Sequence, residues 1–189
     1  MIEPASKRTT DNGSASDDRP QVKEAPSARP SPEPAVDSRP IPALPFSLQL
    51  SSCRSLKNAQ NAVFDFRKMG LEPFIAKVYL ANHGGCWWRV LSGQYASAEA
   101  ALHAKRALGV STAIVKRTRF ATLIGEYPTQ DLTAEIQNHL ENLGFSAYSV
   151  KNPDCGFRLF VGAFTRKSQA EEQAVELRAK GMVCRVVTR

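Results

Sequence analysis

Apolar and polar residues follow two different periods along the second part of the chain, and their order predicts its secondary structure. The segment "FSLQLSSC" (46–53) alternates strictly, with its apolar residues on one side, as in a strand with one buried face. Residues 55–69 place apolar side chains at helical spacing, and Gly70 favours the end of that helix. The same two periods predict further strands at 72–80, 86–93 and 111–116, and a helix at 97–108 that begins at Ser97.

This order of elements recurs about seventy residues later, so the chain is predicted to contain two copies of one unit. The segments "GGCWWRVLSGQY" (84–95) and "PDCGFRLFVGAF" (153–164) share a cysteine, an arginine, a glycine and an aromatic ring in register, but only the first contains tryptophan. The last helix is expected to begin with a capping box formed by Ser168 and Glu171. The second copy is predicted to have strands at 119–127, 145–150, 156–162 and 182–187, and helices at 129–143 and 168–180.

Each copy therefore follows the order β-α-β-β-α-β, which is typical of a ferredoxin-like unit. Right-handed crossovers place both helices on one face of a four-stranded antiparallel sheet and leave the other face open. The predicted fold class is α+β, with a disordered tail at 1–45 followed by tandem units at 46–117 and 118–189. The tail holds nine of the twelve prolines and no aromatic residue, so it cannot bury enough apolar surface to fold.

The open face of the first unit is predicted to carry a ligand-binding surface. Alternation places Gln49, Trp87 and Arg89 on that face, with Ile114 on the neighbouring strand. In the second unit the position of Gln49 is taken by leucine and that of Trp87 by glycine, which leaves Arg158 and Phe160 as weaker candidates. That second face is more apolar and is suited to packing against protein, including the first unit.

Charge and composition narrow the class of protein. Residues 46–189 carry a net charge of +8, which suits an anionic partner such as a nucleic acid, a membrane surface or an acidic polymer. No apolar run is long enough to span a membrane, and the first residues lack the apolar core of a secretory signal. Taken literally, a chain with this beginning would stay in the cytoplasm.

Catalytic and metal chemistry find little support in the sequence. The three histidines, including His83, form no arrangement with a nucleophile, so the sequence favours a binding protein over an enzyme. Cys53, Cys86, Cys155 and Cys184 show no metal-binding spacing, so neither a metal nor a cofactor is predicted. Their disulfide pairing is left open by the sequence.

The strand motifs of the first unit resemble those of the SPOR family, a sporulation-related repeat that binds bacterial peptidoglycan. The segments "FSLQLSSC" and "SLKNAQNA" are similar to the family's first strand and the helix that follows it, and "WWRVLSGQY" is similar to its third strand. The sequence departs from the family pattern at Ser51, where glycine is usual, and at Cys53, where phenylalanine is usual. The second unit keeps "LIGEY" and "FRLFVGAF" but lacks the glutamine.

This resemblance implies a non-catalytic domain that recognises glycan strands stripped of their stem peptides. Carried over by position, the binding residues are Gln49, Ser52, Trp87 and Arg89, with Ile114 as a further candidate. Strict alternation would point Ser52 inward, so its role requires the strand to end or to bulge there. The implied partners are peptidoglycan and other envelope or division proteins. The implied location is the periplasm, which requires an export signal or membrane anchor beyond the sequence given.

Two other functions compete with this interpretation. RNA-recognition motifs share the β-α-β-β-α-β order and favour basic surfaces, but the first strand offers no outward ring and the third lacks the motif typical of those domains. A tandem regulatory domain could instead bind a small molecule between the units.

Overall fold

The computed structural model describes residues 43–80, 84–152 and 156–189. Several sequence-based predictions fall outside these residues. They concern most of the tail, the loop histidine His83, and Cys155 with the start of its motif.

Residues 46–117 form the first unit, here called unit 1, and its elements follow the predicted order. The strand β1 and helix α1 are followed by the hairpin of β2 and β3, then by α2 and β4. All neighbouring strands are antiparallel, in the spatial order β2-β3-β1-β4. The bounds are β1 Phe46–Cys53, α1 Leu56–Lys68, β2 Pro73–Leu80, β3 Gly85–Tyr95, α2 Ala98–Ala107 and β4 Ile114–Arg117.

Residues 118–189 form unit 2, with the same topology and the equivalent strand order β6-β7-β5-β8. Two four-stranded antiparallel sheets, each with its own pair of helices, confirm the predicted α+β fold class. The bounds are β5 Phe120–Tyr127, α3 Gln130–Asn142, β6 Ala147–Asn152, β7 Gly156–Phe164, α4 Lys167–Ala179 and β8 Arg185–Thr188.

The helix starts show where local sequence rules held and where they failed. Ser97 caps α2 as predicted, because its side chain accepts a hydrogen bond from the backbone of Ala100. The capping box predicted at Ser168 is wrong, since α4 begins one residue earlier and its cap position is Arg166, which makes no side-chain capping bond. Glu171 pairs instead with Lys167, one turn back, at 3.2 Å.

A β-bulge interrupts the first strand of each unit at the same place. Gln49 pairs with Leu91, and Ser51 pairs with the adjacent Val90. Leu50 is therefore an extra residue in β1 that has no partner of its own in β3. The bulge reverses the alternation and brings Ser52 opposite Arg89. The structure therefore meets the condition on which the role of Ser52 depended.

Each unit has a core between its sheet and its helices. In unit 1 this core includes Leu48, Val90 and Ala59, and in unit 2 it includes Leu140, Leu159 and Leu177. The strand residues of these cores, Leu48, Val90 and Leu159, point towards the helices, and neighbouring strand residues point to the other face.

A third cluster of buried residues, here called the shared cluster, lies between the two units and contains residues of both. Phe74 of β2 stacks on Tyr148 of β6, with ring centroids 4.0 Å apart. Unit 2 therefore covers the β2 side of the face of unit 1 that was expected to be open, and that expectation is wrong for this half of the face. The buried members are Phe74, Ala76, Val78 and Leu91 of unit 1, and Ala121, Leu123, Tyr148, Phe160, Ala163, Phe164 and Ala170 of unit 2.

Polar contacts also tie the units together. The guanidinium of Arg189 donates to Thr118 Oγ1 at 2.7 Å and to Ser47 Oγ at 3.2 Å. At the edge of β2, Lys77 Nζ pairs with Glu176 of α4 at 2.7 Å. The boundary between the units is therefore both apolar and hydrogen-bonded. None of the helices in the described part of the chain has the length and apolar character needed to cross a membrane.

Candidate functional site

The uncovered half of the unit 1 face brings four of the predicted site residues together. Gln49 of β1 lies between Leu91 of β3 and Ile114 of β4 in the strand register. Residues directly opposite on antiparallel strands share one face, with Cβ atoms about 4.5–5.5 Å apart. The same rule groups Ser52 with Arg89 on this face.

Arg89 is the charged group at the centre of this surface. It lies between Ser52 of β1 and Ala76 of β2, and its side chain is about half buried. Burial, and to a smaller extent the positive charge of Arg166, lower the pKa of the Arg89 guanidinium. Among the described residues no carboxylate lies within ion-pair distance of Arg89. A partly desolvated cation without a counter-charge is a candidate for binding an anionic ligand.

Gln49 and Ile114 add a polar and an apolar group beside this cation. The Oε1 atom of Gln49 is buried and accepts no hydrogen bond from the described residues. Buried acceptors are usually satisfied, so this oxygen is available to a ligand donor or a water molecule. Ile114 is 52% exposed and offers a small apolar contact.

Trp87 is less exposed than the sequence suggested. Its side chain is partly buried and packs against the shared cluster, which includes residues of unit 2. The guanidinium of Arg54 lies over the ring, with Cζ 4.4 Å from the ring centroid. A ligand that stacks on this ring therefore contacts the tryptophan together with Arg54.

The two weaker candidates of unit 2, Arg158 and Phe160, are largely buried. Arg158 is only 8% exposed, and its Nε donates to the carboxylate of Glu126 at 2.8 Å. Phe160 is 5% exposed and belongs to the shared cluster. The two weaker candidates are therefore structural groups in this arrangement: one is neutralised within its own sheet and the other is used in the packing of the units.

Sequence reasoning missed two cations that border this surface. Arg54 follows β1 directly, but no strand or helix period indicates that its side chain covers Trp87. Arg166 lies 77 positions after Arg89 in the sequence, yet its charge acts on that residue. A signal for Arg166 would have required knowing how the units pack, because it belongs to unit 2.

Other features of the described residues lie apart from this surface. A groove of about 630 Å³ between α1 and the helices of unit 2 contains none of the predicted site residues. Cys53, Cys86 and Cys184 are free thiols, and no cluster of three metal-ligating side chains occurs in the described ranges.

Comparison with known families identifies unit 1. The family model of the SPOR domain matches residues 44–117, which span all six elements of that unit. The chain contains a SPOR domain. No curated protein and no solved structure shows significant similarity to the chain.

SPOR domains are peptidoglycan-binding domains, and they are not catalysts. They occur in periplasmic or cell-envelope proteins. The family match ends at Arg117, so the membership of unit 2 in the same family stays a prediction, although unit 2 has the same topology.

Proposed function

We propose that the SPOR domain of unit 1 binds peptidoglycan glycan strands that lack stem peptides, through the surface formed by Gln49, Ser52, Trp87, Arg89 and Ile114. Such binding would target or anchor a cell-envelope protein, for example at the division site.

One observation carries this proposal. Arg89 faces Ser52 and has no carboxylate partner among the described residues, whereas the equivalent Arg158 is paired with Glu126. Arg89 is therefore able to bind a ligand, whereas Arg158 already pairs with a carboxylate of its own sheet. An arginine with several donors in a fixed fork suits the carboxylate that a muramic acid residue exposes once its peptide is removed.

The other groups fit the rest of an amino-sugar chain. Sugar rings have apolar C–H faces that can pack on Trp87 with its covering guanidinium, at an expected gain of about 1–3 kcal/mol by analogy with bases on aromatic platforms. The unsatisfied Oε1 of Gln49 can accept a hydrogen bond from an acetamido N–H or a hydroxyl group. The surface is shallow, so affinity is expected to come from a few such contacts along an extended polymer.

The first test is a sedimentation assay of the full chain with purified sacculi, either untreated or treated with an amidase that removes stem peptides. The full chain is expected to sediment mainly with treated sacculi. Trp87→Ala and Arg89→Gln should each remove most of the bound fraction, because they delete the stacking surface and the central cation. Far-UV circular dichroism checks that both variants remain folded.

The matched control is Arg106→Gln, which removes one positive charge from the exposed side of α2. It should sediment as the unsubstituted chain does. The proposal is wrong if the Trp87 and Arg89 variants, properly folded, sediment as well as the control. Equal binding to treated and untreated sacculi would contradict the preference for peptide-free strands.

A further inference from the structure

The boundary between the units brings a second guanidinium towards the proposed binding surface. In unit 1, Arg89 lies two residues before Leu91 on the same face of β3, and Leu91 belongs to the shared cluster. In unit 2, Arg166 lies two residues after Phe164, which belongs to the same cluster. The two arginines therefore follow or precede members of the same packed core, one in each unit.

The position of Arg166 is fixed by the elements on both sides of it. The strand β7 ends at Phe164, and α4 begins at Lys167. The first turns of α4 are held by burial of Gln169 and Ala170, and Glu176 further along anchors the helix to Lys77 of β2. Arg166 itself is exposed, so its guanidinium can reach a ligand while its backbone stays in place.

Both arginines lie beside the shared cluster, and neither has a counter-charge within the described residues. The positive charge of Arg166 contributes to the lowered pKa of Arg89. Two cations held near each other repel, and an anion that binds between them removes this repulsion. Neither group forms an ion pair with any carboxylate that the structure describes.

We infer that Arg166 of unit 2 completes the glycan-binding surface of unit 1, so that Arg89 and Arg166 together receive a carboxylate of the sugar chain. This inference rests on the proposed function and adds a specificity-determining residue to it. It also assigns a role to unit 2, which supplies this side chain although its own equivalent face is closed.

The test is a titration of the full chain with soluble, peptide-free glycan strands at several salt concentrations. Arg166→Gln is expected to weaken binding about three- to tenfold, as for the loss of one charge-assisted contact, and to make binding less dependent on salt. The same strands with their carboxyl groups reduced to alcohols serve as a second ligand. On them, Arg166→Gln and the unsubstituted chain should bind equally.

The control is Lys180→Gln, which removes an exposed positive charge at the opposite end of the same helix and should leave binding unchanged. The inference is overturned if Arg166→Gln binds like the unsubstituted chain, if Lys180→Gln weakens binding to the same degree, or if the loss persists on carboxyl-reduced strands. These results leave the proposed function intact as long as Arg89→Gln weakens binding. Absence of binding by the unsubstituted chain would instead overturn the proposed function, and this inference with it.

Discussion

The residue opposite the third-strand arginine decides what that arginine can do. In unit 2, Glu126 stands opposite Arg158 and forms an ion pair with it, on a face that is largely buried. In unit 1 the same position holds Ser52, which is exposed and carries no charge that could neutralise Arg89. One position in the first strand therefore separates an internal ion pair from a cation that is open to ligands.

Placing a glutamate at position 52, as unit 2 has at the equivalent position, should prevent Arg89 from binding a ligand. In Ser52→Glu, the new carboxylate is expected to pair with Arg89 in the geometry seen for Glu126 and Arg158, and to reduce binding of peptide-free strands by tenfold or more, on the order of a buried charge-assisted contact. The thermal midpoint should stay the same or rise, because the new pair removes an unpaired charge. Ser52→Gln, which is similar in size but uncharged, should lose much less binding. Equal losses in the two variants would show that side-chain size, and not charge, is responsible.

At the scale of single elements, the bulged first strand explains why unit 1 departs from the family pattern at two positions together. In unit 2, Gly125 directly follows the extra residue of the bulge, and the ring of Tyr127 lies so close to it that an added Cβ would be 2.9 Å from the Tyr127 hydroxyl. In unit 1, Ser51 and Cys53 hold these positions, and their side chains are in contact, with Oγ and Sγ 3.8 Å apart. Because Cys53 has no aromatic ring that could lie against position 51, the side chain of Ser51 fits there.

This coupling predicts a compensated pair of substitutions in unit 2. Gly125→Ser alone should lower the free energy of unfolding by about 1–2 kcal/mol, because the ring must shift to admit the new side chain. In Gly125→Ser combined with Tyr127→Cys, the cost of the serine should largely disappear relative to Tyr127→Cys alone. Chemical denaturation of the four proteins gives the interaction energy between the two sites. Strictly additive effects would contradict the coupling.

Sequence periodicity was enough to predict the elements but not all of their ends or surroundings. Alternation and helical spacing located every strand and helix, because each element buries one face and that burial sets the period. The start of α4 was missed, since Arg166 at the cap position makes no side-chain bond that a sequence rule could detect. The contact of Arg54 with Trp87 was missed because it depends on a flexible side chain folding back over a neighbouring strand.

At the scale of the whole molecule, the packing of the two units reshapes the site. Alternation within one unit placed Gln49 and Arg89 on the same face, and sequence could predict it. Ser52 joins them only through the bulge in β1, which alternation does not predict. The partial burial of Trp87 and the approach of Arg166 depend on a boundary between units, and no local period encodes it. Arg189 belongs to this boundary, because its guanidinium joins unit 2 to Ser47 of unit 1.

Loss of Arg189 should weaken this boundary before it unfolds either unit. Both tryptophans lie in unit 1, and Trp87 packs against the shared cluster, so tryptophan fluorescence reports on that unit and its boundary, whereas far-UV circular dichroism reports on the secondary structure of both units. In the unsubstituted chain the two denaturation curves should coincide. In Arg189→Ala they should separate, with a loss of about 1–3 kcal/mol from the buried hydrogen bonds. Arg185→Ala, at an exposed position on β8, should keep the curves together, and coincident curves for Arg189→Ala would contradict this role.

The stacked pair of Phe74 and Tyr148 has a consequence for how the protein attaches to a polymer. The two rings occupy equivalent positions in their units, opposite Leu91 and Phe160 respectively, so each unit uses part of the same face to hold the other. Under the proposed function, a chain with two copies of the fold therefore has one glycan-binding surface, and each chain binds one glycan strand. Firm retention on the wall would then depend on how many chains are assembled side by side.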